Sequence, residues 1–112
     1  MCMSNLAEPL FFNKNRVRRV YSGGRLFADF FGDDSTDGFY PEEWICSSVR
    51  ALNEGSDDPR EGLSRTKDGR YFDELLEEHP EEMLGPFPAL GILVKILDSA
   101  IRLPVQTHPD KD

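Results

Sequence analysis

Only two cysteines, Cys2 and Cys46, stand among the 112 residues, and one possible pair does not make a disulfide scaffold. Reduced thiols in a cytosol are the simpler expectation. Basic residues are also scarce: thirteen Lys and Arg against twenty-one Asp and Glu leave a formal charge of −8. That balance gives no electrostatic footprint for nucleic acid or for an anionic membrane, both of which call for clustered Lys and Arg. The one basic cluster, Lys14 to Arg19 in KNRVRR, alternates with Val17 and reads as the solvated face of a strand. No apolar run approaches the length of a membrane span. The start MCMSNLAEPLFF lacks the basic segment and apolar core of a signal peptide. A cytoplasmic protein with neither nucleic-acid nor membrane partners is expected.

What is present suits one small domain. Hydrophobic residues make up 38% of the chain, and its nine glycines bring the broad apolar fraction near the globular norm. At this size burial is incomplete, so a core shared with further sequence would leave the chain marginal.

The pattern along the chain is mainly β with short helices. Rough alternation over Val17, Arg18, Arg19, Val20 and Tyr21, closed by Gly23 and Gly24, predicts a strand within 10–21 that ends in a turn. Leu26, Phe27, Phe30 and Phe31 fall at helical spacing before Gly32. A polar loop DDSTDGFYPEE leads into a second predicted strand, 42–50, where Trp44, Ile45 and Val49 favour extended structure. Asp73 to Leu84 reads as helix, divided by Pro80. Strands are predicted over 90–97 and 101–108, separated by a bend at Asp98 and Ser99.

In the last of these strands, alternation puts Arg102, Pro104, Gln106 and His108 on one face, and Ile101, Leu103, Val105 and Thr107 on the other. An amide oxygen and an imidazole nitrogen placed side by side can both coordinate one divalent ion. A neutral oxygen ligand also leaves more positive charge on the metal than a carboxylate would. A surface or turn histidine beside Pro109 is the plainer reading, and two ligands do not hold a zinc site. His79, among four glutamates, reads as an exposed helix end.

Two residues stand in unusual company. Lys95 interrupts ILVKIL, where an ammonium costs several kcal/mol unless it is paired, neutralised or opened to a cavity. It either snorkels from an edge strand or lines a polar pocket ready to meet an anion such as phosphate. Glu42 and Trp44 share a strand face, so an acid can stand beside an aromatic wall as in sugar sites; the alternative is a core tryptophan and a solvated glutamate.

Several segments, in order, resemble one family. EPLFF, RVYSGGRL, EEWICSS and LVKILDSAIRLPVQTHPDK are similar to the corresponding blocks of the type I mannose-6-phosphate isomerases, metal-dependent cupins, and the final lysine strand with its Q-x-H-P signature is the specific part. The resemblance implies part of a cupin-type jelly roll and one zinc ion per complete site, with Gln106 and His108 as two of four ligands. A glutamate in a Gly-Lys-Thr-Glu-like motif, a later histidine and a substrate-binding arginine are expected beyond Asp112. Residues 1–112 then form an amino-terminal segment with an incomplete catalytic domain, inactive alone, whose cut sheet exposes an edge open to self-association.

The resemblance further implies that Lys95 and Glu42 contact a phosphorylated hexose, interconverted between mannose 6-phosphate and fructose 6-phosphate through an enediol. No catalytic acid or base is assigned. Pro104 stands where many members carry a substrate-holding serine, and Arg102 on the same predicted face is the replacement anion reader. A non-catalytic cupin-like module binding sugar or metal is the alternative function.

Overall fold

Extended backbone needs hydrogen-bonding partners, and three short segments of this chain supply them for one another. A computed structural model describes residues 8–32 and 38–105. Its elements in chain order are β1 (Arg16–Val17), α1 (Leu26–Phe31), β2 (Glu42–Ile45), α2 (Phe72–Glu78), α3 (Pro80–Leu84) and β3 (Val94–Leu97). The strands form an antiparallel sheet in the order β1-β2-β3. Its register sets Glu42 between Val17 and Leu97, and Trp44 opposite Lys95. Directly opposed residues share a face, so Val17, Glu42, Trp44, Lys95 and Leu97 line one side of the sheet. Arg16, Glu43, Ile45, Val94 and Ile96 line the other.

All three strands are shorter than the sequence pattern predicts, each for a local reason. The first segment pairs in the sheet only at Arg16 and Val17. Around them the chain leaves the ladder for other partners: the Asn13 N–H donates to the Arg65 carbonyl and the Arg19 N–H to that of Phe39. β2 stops because Cys46 takes a left-handed conformation, φ 47°, which a strand cannot continue through. Ser47 then turns away, its N–H donating to Ser64 Oγ at 2.7 Å. β3 begins only after Gly91, φ 73°. Residues 101–105, expected to open the closing strand, have no regular structure. Before them the Gly23–Ser99 bridge and the Ala100 N–H to Ser22 carbonyl bond tie the chain to the paired glycines.

The helices follow their punctuation. α1 ends at Gly32, φ 64°, a left-handed stop that glycine adopts without a Cβ clash. Pro80 occupies the first turn of α3, where its missing N–H costs nothing, and the backbone breaks at His79 between α2 and α3.

The core sits under the Glu42 face of the sheet. Val17, Trp44 and Ala51 form its centre with Leu93 packed against it. Phe72, Leu75 and Leu76 of α2 are buried, and Phe12 meets the Phe72 ring edge-on at 5.4 Å. Gly62 lets the 50–64 loop close over Trp44: a Cβ there would meet the Ala51 nitrogen at 2.6 Å and the indole ring at 2.9 Å. No helix among the described residues is long and apolar enough to cross a membrane.

Candidate functional site

β2 enters the sheet with an acid on its inward face, and the fold then surrounds that acid with donors. Glu42 is 3% exposed. Tyr21 Oη donates to Glu42 Oε1 at 2.7 Å, and Trp44 Nε1 donates to Oε2 at 2.7 Å. Two cations stand further out: Arg19 Nε lies 3.7 Å from Oε1 and Lys95 Nζ 3.4 Å from Oε2. Lys95 also lies over the Trp44 ring, 5.6 Å from its centroid. Each position follows from the register. Trp44 is two residues along β2 and so shares the face, Lys95 is its cross-strand neighbour, and Tyr21 and Arg19 arrive on the segment that follows β1.

Burial alone would raise the Glu42 carboxyl pKa, and it is the largest single influence on that group. The hydrogen bonds from Trp44 and Tyr21, together with the Lys95 and Arg19 charges, outweigh it and hold the group below the usual carboxylate range. Burial, then the bond to Glu42 and its charge, push the Tyr21 phenol well above its ordinary value. The site therefore holds an ionised, doubly bonded carboxylate beside a neutral phenol. Such a carboxylate is a fixed acceptor and charge anchor more than a proton shuttle. The groups with donors to spare are the two cations.

The sequence places an acid beside an aromatic wall, and the structure makes that contact a hydrogen bond: Trp44 is core and Glu42 is buried with it. Lys95 is neither unpaired nor buried, with its side chain 35% exposed and its head group against Glu42. Arg102 is exposed and lies in irregular backbone, so no strand alternation fixes its direction. Gln106 and His108 lie outside the described residues. Among the described residues no three His, Cys, Asp or Glu side chains group as a metal site. His79 sits at the α2–α3 junction with Nδ1 3.7 Å from Glu82, at a helix end as predicted.

The basic cluster is a correction. Read as a solvated face, it instead sends two of its arginines inward. Arg16 Nε donates to Glu43 Oε1 at 2.9 Å and its guanidinium covers the Phe27 ring at 4.0 Å, while Arg19 reaches Glu42. Arg16 alternates to the sheet face opposite Glu42, where an open cavity of about 250 Å³ is lined by Phe12, Arg16, Phe31, Glu43, Cys46 and Ile96 among others. Tyr21 and Arg19 are the two site members that sequence reasoning missed. The available signal was the pair of glycines: at Gly23 and Gly24 a Cβ would press on Pro41 and Asp98, so this turn must lie against the start of β2 and the end of β3.

The geometry can be set beside known proteins. No family model matches the chain, and no solved structure matches it. Over 111 residues it is 34% identical to the mannose-6-phosphate isomerase of Streptococcus mutans serotype c, covering 94% of this chain. This chain is a relative of the mannose-6-phosphate isomerases. A second match, 32% identical over 110 residues, is the probable mannose-6-phosphate isomerase GmuF of Bacillus subtilis, covering 96% of this chain. The chain spans about a third of the length of these curated isomerases, 31% of one and 32% of the other.

Proposed function

We propose that this chain is the amino-terminal part of a cytoplasmic, zinc-dependent aldose–ketose isomerase that interconverts mannose 6-phosphate and fructose 6-phosphate. The observation that carries the reading is the Glu42–Trp44–Lys95 constellation, found in a chain similar to isomerases named for that substrate. In this reading the sheet is one part of a cupin-type jelly roll. The solvent-facing edge of the Glu42 face, at Lys95, takes the sugar phosphate, with Lys95 as a cation toward its anionic group and Glu42 as the acceptor that fixes the lysine.

Moving a proton between neighbouring carbons of the open-chain sugar passes through an enediol, whose oxygens gain negative charge. Lys95 orients the sugar, and the buried carboxylate holds the lysine in place. Gln106 and His108 are the residues that would hold zinc, a neutral oxygen and an imidazole nitrogen that suit it, with two more ligands needed from further sequence. The ion supplies Lewis acidity toward the developing oxyanion when bound.

The test is a chimera that joins residues 1–112 to the remaining two-thirds of the Bacillus subtilis relative. Isomerisation of mannose 6-phosphate is expected, falling about a hundredfold or more in kcat/KM for Lys95→Met, with Glu42→Gln also impaired. The unjoined chain is expected to show none. An inactive but folded and zinc-loaded chimera would overturn the reading. It would favour the second one, a non-catalytic module that binds sugar or metal, which the full engagement of both Glu42 oxygens by donors already supports.

A further inference from the structure

Four donors converge on Glu42, but they do not hold it alike. Tyr21 and Trp44 bond at 2.7 Å, whereas Lys95 stands at 3.4 Å and Arg19 at 3.7 Å. The first two contacts fill the carboxylate. The second two are longer than a good charge-assisted bond, near 2.8 Å, so the cations are anchored without their donors being used up. Arg19 makes one other side-chain contact among the described residues, from Nη1 to Asn53 Oδ1 at 3.5 Å, and its guanidinium carries five N–H groups. Its side chain is 33% exposed and that of Lys95 35%, so both residues are accessible from solvent beside a buried acid.

The charges are unequal. Two cations flank one carboxylate, a local excess of one positive charge on a chain of net −8. Arg19 and Lys95 each touch a different oxygen of the same carboxylate, so the two cations are neighbours and one oxyanion in front of Glu42 can accept from both. Arg19 is also tethered from behind: Asn53 Nδ2 donates to the Arg18 carbonyl at 2.6 Å and to Glu61 Oε1 at 2.9 Å, fixing the backbone that carries it. Arg18, the next residue, is exposed and has no contact with Glu42, which makes it a natural control.

We infer that Arg19 is the second cation of an anion-receiving site, its guanidinium and the Lys95 ammonium both donating to one phosphate or similar oxyanion at the solvent-facing edge of Glu42. This rests on the proposed sugar-phosphate reading and names the residue that reads the phosphate beside Lys95, in place of Arg102. Arg19 acts here as a binding and specificity residue and takes no part in proton transfer.

Inorganic phosphate is the probe, titrated into the 112-residue chain at low ionic strength. The readouts are the indole N–H resonance of Trp44, the chain's single tryptophan, and the side-chain Nε–H resonance of Arg19. Saturable shifts of both are expected. Arg19→Gln and Lys95→Gln should each weaken binding about tenfold, Arg19→Lys should recover part of the loss, and Arg18→Gln should change it less than about twofold. If Arg19→Gln binds phosphate like the parent while Lys95→Gln does not, Arg19 is only a tether and the inference fails with the sugar-phosphate reading intact. If neither substitution matters, or the parent shows no saturable shift, both fail. Should Arg19→Gln not fold, the Arg19 Nε–H resonance of the parent decides: a shift supports the inference, and an unmoved resonance beside a shifting indole overturns it.

Discussion

Glu42 is where the largest energies meet at the residue scale. Taking a carboxylate out of water costs several kcal/mol, offset here by two short hydrogen bonds and two flanking cations. Glu42→Ala strands the indole N–H and the phenol and is expected to destabilise the fold by about 3–5 kcal/mol in urea melts. Glu42→Gln keeps an acceptor for one donor and should cost less. The carboxyl pKa is lower in the folded chain than in the unfolded one, so the stability it contributes is present above the unfolded value and is lost as pH falls through the folded one. Urea melts from pH 7 downward should therefore show a steeper acid loss for the parent than for Glu42→Gln; parallel curves would count against an ionised Glu42. Tyr21 runs the opposite way. Its raised pKa means stability is kept below the usual tyrosine range and lost above it. A late-titrating phenol in alkaline absorbance spectra should disappear in Tyr21→Phe.

At the scale of elements, close approach decides what the strands and helices can do. Gly62, φ 90°, lies where any side chain would strike backbone and the Trp44 ring. Gly62→Ala is expected to cost about 2–4 kcal/mol and to perturb Trp44 fluorescence, since both the left-handed conformation and the contact are lost. Asp98 is a second such point. Buried at the end of β3, its Oδ2 accepts the Leu26 N–H at 2.7 Å and so caps α1 from a distant part of the chain. Asp98→Ala should lower stability by about 1–2 kcal/mol, with hydrogen exchange fastest in α1. The sequence marks Asp98 as a bend; its partner, α1, could be found only once β3 and the paired glycines were side by side.

At the scale of the molecule, only one face of the sheet is covered among the described residues. On the face opposite Glu42, Ile45, Val94 and Ile96 are 39%, 49% and 38% exposed, and β3 stands at the end of the strand order with one edge paired to no other strand among the described residues. An apolar edge strand is a template for pairing with another chain. Concentration-dependent association is expected in sedimentation velocity, and Ile96→Lys should reduce it by placing a charge on the contact face. A strictly monomeric parent at high concentration would refute the edge as a contact.

Sequence alone determined the features that depend on neighbours along the chain. Alternation placed Glu42 and Trp44 on one face, glycine stopped α1 at Gly32, and Pro80 divided α2 from α3, because each is a matter of local dihedrals and period. Only the tertiary structure decided which donors meet. Lys95 and Glu42 lie 53 residues apart and Arg16 and Glu43 lie 27 apart, and no local pattern distinguishes an arginine that turns inward from one that faces water. The physical reason is that strand register is a long-range property: once β1 and β3 align on β2, the cations come to the acid, and before that alignment each is only a charge on a polar stretch of chain.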